Sequence, residues 1–293
     1  MTEHRDTPQG FLYAGGAYLM WGFLPLYMKL LSHVPAWEIV PHRILWSIPV
    51  AALILWFQGS LKGIGAALAS PRMLATSALC AVIISVNWGV YVWAVTSGHA
   101  LQTALGYYIN PLFSVLLAAV LLGERFTKAQ GFAIALAALA VGVLTWEQGG
   151  IPWVSVLLCV SWGFYAYLKR TIAVGPTQGF FLEVVILAIP ALLLLVWLDR
   201  DGIRHVFNGT SSDTALLACT GFVTAIPLIL YAWGAKHLRL TTIALMQYSA
   251  PTMIFLIAVF LFNEPFSTAK LVAFLLIWTA LAIYTTTLIR KAA

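Results

Sequence analysis

Apolar residues neither alternate with polar ones along this chain nor recur as narrow stripes. They come in unbroken runs separated by short polar breaks. A run of about 20 residues carries an α-helix across a hydrocarbon core of about 30 Å. The runs predict ten transmembrane helices, at 10–30, 36–57, 73–95, 100–122, 129–146, 152–168, 178–198, 214–235, 240–262 and 268–289. A membrane β-barrel shows short segments of alternating hydrophobicity instead, so the predicted fold class is all-α and polytopic. The connections are too short for a soluble domain. The polar head MTEHRDTPQG leads directly into a full-length run rather than into the short apolar region of a cleaved signal.

Composition agrees. Hydrophobic residues make up 61% of the chain and charged residues 9%, with a mean hydropathy of +0.92, where soluble domains carry about 25% charged residues. The cations set an orientation. With alternating helices, Arg5, Lys62, Arg72, Arg125, Lys128, Lys169, Arg170, Lys236, Arg239, Arg290 and Lys291 share one side, and Lys29, Arg200, Arg204 and Lys270 share the other. Both termini are therefore expected in the cytoplasm. The net charge of +6 reads as this topology signal, not as a nucleic-acid footprint. Cys80, Cys159 and Cys219 fall within spans, and their spacing fits neither a zinc site nor a disulfide framework.

The chain repeats itself. Trp21-Gly22-Phe23 overlays Trp162-Gly163-Phe164 at a shift of 141. At a shift of 140, Tyr91 meets Tyr231, Trp93 meets Trp233, Tyr108 meets Tyr248, Pro111 meets Pro251 and Glu124 meets Glu264. A unit of five spans is odd, so the second copy enters the membrane from the opposite face. The expected organisation is two inverted five-helix repeats, 1–147 and 148–293, a hallmark of secondary transporters.

These features, with the segments QGFLYAGGAYLMWGFLPLYMKLL and VPAWEIVPHRILWS, resemble the drug/metabolite transporter superfamily, EamA type. The opening stretch is most similar to its RarD branch, and YddG-type amino-acid exporters share the architecture. The resemblance implies a bacterial inner-membrane exporter of amino acids or other small metabolites, with a cavity between the halves.

Proline-interrupted spans at matching positions point to a site. Pro111 and Pro251 each remove a backbone N–H and crowd the carbonyl four residues back, at Tyr107 and Gln247; both are expected as helix hinges. Gln102, Gly106, Asn110 and Ser114 form a polar stripe on the fourth span, read either as a cavity face or as interhelical hydrogen bonding. The expected substrate contacts are Trp21, Asn87, Tyr91, Tyr107, Asn110, Trp162, Tyr165, Tyr231, Gln247 and Tyr248. His42, Arg43 and Glu183 are the intramembrane ionisable groups, functional candidates by default. Arg43 and Glu183 occupy equivalent repeat positions. Inversion puts them in opposite halves of the membrane, so a direct pair is not expected. Glu124 and Glu264 are read as structural, ahead of Thr127 and Ser267 as helix N-caps.

An aromatic, amide-lined cavity suits neutral or zwitterionic solutes. Strongly anionic ones would need several midspan cations. The predicted function is alternating-access export of amino acids and related small amphipathic metabolites. A chloramphenicol-like drug permease is the alternative, and a non-transporting membrane sensor the remote one. The spans hold neither an H-E-x-x-H motif nor an aspartate, which argues against an enzyme. The expected partners are a small-molecule substrate and the lipid bilayer, without nucleic acid, cofactor or metal, and the chain is expected to act as a monomer.

Overall fold

The computed structural model describes residues 6–61, 64–65, 68–123, 125–169, 174–200 and 210–292. Arg5, Lys62, Glu124, Arg170 and Arg204 lie outside the described residues. The long elements, in chain order, are α1 (Pro8–Leu30), α2 (Ala36–Phe57), α3 (Pro71–Thr96), α4 (Ala100–Leu122), α5 (Lys128–Gln148), α6 (Trp153–Lys169), α7 (Pro176–Arg200), α8 (Ser211–His237), α9 (Leu240–Met246), α10 (Ser249–Leu256) and α11 (Thr268–Ala292). A π-helical stretch, Ile257–Leu261, continues α10. The described residues contain no β-strand.

Local chemistry fixes the ends. The side chains of Thr7 and Ser70 accept the amides of Gly10 and Met73, each ahead of a proline at the first helical position. Thr127 with Gln130, and Thr210 with Asp213, form reciprocal capping boxes. Ser267 accepts the Lys270 amide, capping α11. Gly123 and Gly149, both at φ 67°, end α4 and α5 in the left-handed region that a side chain disfavours.

Among the described residues, eight segments are long and apolar enough to cross a membrane: α2, α3, α4, α5, α7, α8, the stretch Thr242–Leu261 and α11; α6 is a shorter apolar helix. The outer surface is apolar too, with Leu12, Phe57, Val120 and Trp146 exposed. Such a belt suits lipid, not water.

The span expected at 240–262, with Pro251 as its hinge, is one apolar stretch, Thr242–Leu261, but not one regular helix. It is split at Gln247–Tyr248 into α9 and α10. Pro251 explains the break, since its ring excludes the Gln247 carbonyl from a regular helical position. The equivalent Pro111 sits inside α4, which runs through it from Ala100 to Leu122.

The helices pack across the two halves. α1 lies against α8 and α10, and α6 against α3 and α4; α2 pairs with α7, and α5 with α11. Polar contacts join helix ends that are distant in sequence. Asp6 takes the Arg239 amide at 2.7 Å and its guanidinium at 3.1 Å. The Arg239 amide is the main reason the Asp6 carboxyl sits below the usual carboxylate range. His33 meets Asp213 at 2.9 Å, and Gln178 donates to the Ser60 carbonyl at 2.6 Å. Buried Glu264 accepts the Ala100 and Leu101 amides at 2.7 and 2.9 Å, capping the otherwise bare start of α4. Its structural role thus has a specific partner, one that sequence reading did not identify.

Candidate functional site

A cavity of about 160 Å³ lies where both halves of the chain meet. At roughly 10–15 Å³ per water, it has room for a solute the size of one amino acid. Its wall draws on seven of the helices and on the break between α9 and α10. Tyr18, Trp21 and Leu24 come from α1, and Arg43 from α2. Asn87, Trp88 and Tyr91 come from α3, Tyr107 and Asn110 from α4, and Trp162 from α6. Tyr231 comes from α8, Gln247 from the break, and Ala250, Pro251 and Ile254 from α10.

The aromatic wall has two clusters. On one side Tyr18, Trp21 and Tyr231 form a triangle with ring centroids 5.7–6.0 Å apart. On the other, Tyr107 stands 6.1 Å from Tyr91 and 6.2 Å from Trp162. Trp21 and Trp162 are equivalent in the repeat, as are Tyr91 and Tyr231, so the clusters are built from matching positions.

The amides are held by their neighbours. Asn87 donates to the Leu158 carbonyl and the Ser161 hydroxyl, and its oxygen accepts from Tyr107 at 3.3 Å. Asn110 donates to the Cys159 carbonyl and accepts from Ser114. The Ser155 hydroxyl donates to the Gln102 carbonyl, and a Cβ on Gly106 would fall 2.7 Å from the Ser155 carbonyl oxygen. The polar stripe of α4 is therefore largely the seam with α6, and only Asn110 of its four members lines the cavity.

Eight of the ten expected contact residues line this one cavity: Trp21, Asn87, Tyr91, Tyr107, Asn110, Trp162, Tyr231 and Gln247. Tyr165 and Tyr248 do not. The Tyr165 hydroxyl donates to Glu183 at 2.9 Å, and Lys169 meets the other Glu183 oxygen at 2.8 Å, which draws Tyr165 into a buried α6–α7 network. Tyr248, beside Gln247 at the break, lines a separate pocket with Tyr108, Thr252 and Trp278; its equivalent Tyr108 turns the same way from unbroken α4. Pro111 is buried in α4 outside the cavity wall, whereas Pro251 lines it.

Of the intramembrane ionisable groups, only Arg43 lines the cavity; His42 is buried on α2 away from it, and Glu183 belongs to the Lys169 network. Arg43 and Glu183 engage separate partners, Thr224 and Lys169. Sequence reading did not assign Tyr18 and Trp88 to the wall. Each lies three residues before an aromatic that was assigned, Trp21 and Tyr91, and three residues is one face of a helix. Among the described residues no group of His, Cys, Asp and Glu is placed to hold a metal.

The model of the EamA-like transporter family matches residues 8–146 and again 149–286. The chain belongs to the EamA-like transporter family. Full-length EamA-type relatives fit the RarD branch. The protein RarD of Streptomyces exfoliatus is 38% identical over 292 residues, covering 100% of this chain and 93% of that protein. The chloramphenicol-sensitive protein RarD of Pseudomonas aeruginosa is 30% identical over 280 residues, 94% of this chain and 93% of that protein. A solved structure described only as the crystal structure of a protein shares the fold, with a TM-score of 0.59 at 20% identity, covering 95% of this chain and 97% of that one. Transport across a bacterial membrane by a multi-pass helical protein is the family's activity that this chain's relatives and apolar helices support.

Proposed function

We propose that this EamA-like protein exports amino acids and related small amphipathic metabolites across the bacterial inner membrane, by alternating access to the cavity between its halves. In this reading it has ten spans arranged as two inverted repeats, 1–147 and 148–293, with both termini cytoplasmic. The helix pairing supports the inversion. Exchange the halves, so that α1–α5 stand for α6–α11 with α9 and α10 as one span, and the partners exchange as well: α1 on α8 becomes α6 on α3. The end contacts support the threading. Asp6 with Arg239, and Ser60 with Gln178, join ends assigned to the cytoplasm; His33 with Asp213, and Glu264 with Ala100, join ends assigned outside.

The observation that carries the transport site is the cavity's composition from equivalent positions of both repeats: Trp21 with Trp162, and Tyr91 with Tyr231. A site of this kind lies on the pseudo-two-fold axis, where rocking of one half against the other exposes it to each side in turn. The broken span beside it contributes Gln247, at the break itself, to the wall, and Pro251 denies the Gln247 carbonyl its regular helical donor. Aromatic faces attract an ammonium group by about 0.5–2 kcal/mol, and their bodies take an apolar side chain.

The name of the Pseudomonas relative, with the largely aromatic wall, favours a second reading as a permease for chloramphenicol-like drugs. Liposomes containing the purified protein separate the two. Radiolabelled amino acids, offered with and without a pH gradient, are expected to move; flux of chloramphenicol with no amino acid moving reverses the assignment.

A further inference from the structure

Among the described residues Arg43 is the only charged one in the cavity wall, and no carboxylate accompanies it there. It is 3% exposed. Its Nε donates to the Thr224 hydroxyl at 3.1 Å, and that hydroxyl donates in turn to the Thr220 carbonyl at 2.7 Å. One face of the guanidinium rests over the Trp88 ring, 5.1 Å from its centroid, and Trp88 is backed by Phe180. The head group is thus fixed by one edge and one face. Its Nη1 is buried and has no hydrogen-bond partner among the described residues, and the same holds for the Tyr91 hydroxyl in the same wall. The oxygens of Asn87 and Asn110 already accept from Tyr107 and Ser114. Glu183, the repeat equivalent of Arg43, is taken by Lys169 and Tyr165.

The wall therefore carries a fixed cation and spare donors, with the acceptors of Asn87 and Asn110 in use. A buried cation without a counter-charge is costly, and a planar guanidinium matches a carboxylate in shape as well as charge. We propose that Arg43 is the anion anchor of the cavity, and that the solute carries a single carboxylate held by Arg43 Nη1 and the Tyr91 hydroxyl. The apolar or ammonium part of the solute then faces the Tyr18–Trp21–Tyr231 cluster. The proposal rests on the cavity being the solute site, and it narrows the substrate class to small monocarboxylates, zwitterionic amino acids among them. Amides, esters and amines of the same shape are excluded.

Phenylacetate and phenylacetamide differ only in the group Arg43 is to recognise. Titrated into the purified wild-type protein and followed by tryptophan fluorescence, since Trp21, Trp88 and Trp162 line the cavity, phenylacetate is expected to bind about tenfold more tightly or better. Arg43→Gln brings the ratio to about one, Arg43→Lys keeps most of the preference, and Tyr91→Phe lowers it several-fold. Equal binding of acid and amide to the wild type, no binding of the acid, or an undiminished preference in Arg43→Gln overturns the anchor. The wild-type comparison decides even where Arg43→Gln does not fold. Phenylalanine flux in liposomes is read separately. An acid preference without that flux removes the amino-acid reading and leaves the anchor standing; flux without an acid preference does the opposite.

Discussion

Gly22 of α1 lies directly against Met253 of α10: a Cβ built on Gly22 would fall 2.6 Å from the Met253 sulfur and 2.8 Å from its Cβ. The same contact recurs in the other half, where a Cβ on Gly163 would fall 2.5 Å from Cδ1 of Phe113. Gly22 and Gly163 belong to the two Trp-Gly-Phe motifs, and Phe113 and Met253 match at the shift of 140, so α1 meets α10 and α6 meets α4 at matching positions of the sequence. Each glycine sits one residue from the tryptophan that enters the cavity wall. The repeated motif therefore joins a close helix contact to a wall residue.

Valine at either glycine should force these helices apart. Gly22→Val and Gly163→Val are each expected to cost about 1–3 kcal/mol, read as a lowered melting temperature in detergent. Gly142→Ala is the control. It is helical with nothing within 4 Å of its Cβ position, and alanine there should hold or raise the melting temperature. An unchanged melting temperature for both valine variants would contradict the packing.

The threading makes its own prediction. In a background free of Cys80, Cys159 and Cys219, single cysteines at residues 33 and 148 should react with an impermeant reagent from outside. Cysteines at 128 and 237 should react only once the cytoplasmic side is opened. Labelling of residue 148 from the cytoplasmic side alone would contradict a five-helix repeat.

The two prolines should no longer behave alike. Pro251 stands in the first turn of α10, where its missing N–H breaks no helical bond. Pro251→Ala lets α9 and α10 join through Gln247, so flux should fall several-fold in a protein that still folds. Pro111→Ala, in a helix that is already continuous, should change flux less. Equal effects would remove the break from the transport mechanism.

Buried Glu183 pairs with Lys169 outside the cavity wall, separated from it by Tyr165, whose ring lies 5.8 Å from that of Trp162. Glu183→Gln or Lys169→Met alone should cost up to about 3 kcal/mol, lessened because water reaches Lys169, which is 21% exposed. The double variant should recover part of that loss, as a double-mutant cycle measures. Binding of phenylacetate should survive in all three. Its loss in folded Glu183→Gln would bring this network into the site.

Much of this arrangement is legible in sequence because membrane helices announce themselves by length, and repeat matches at Trp, Tyr and Pro locate one face of each. Trp21 and Trp162, like Tyr91 and Tyr231, match in sequence between the halves, and both members of each pair reach the cavity. What stayed hidden depends on side-chain direction and on backbone that departs from a regular helix. Tyr248 was expected in the wall, but it and its equivalent Tyr108 both face another pocket, against Trp278 of α11. Tyr165 has the right helix and nearly the right face, but a carboxylate on the next helix competes for its hydroxyl. Arg43 was legible as a charge in a span, while its reach to the cavity depends on Thr224 and Trp88, which lie far away in sequence.

The most direct measurement compares two tryptophans in liposomes. Trp162 lines the shared cavity, whereas Trp37 is 58% exposed on the outer surface. With amino-acid flux measured across a panel, Trp162→Ala should lower transport several-fold, since about 1.4 kcal/mol of lost contact is tenfold in binding, and Trp37→Ala should leave it near the wild-type rate. Equal rates for the two folded variants would contradict a transport site between the repeats.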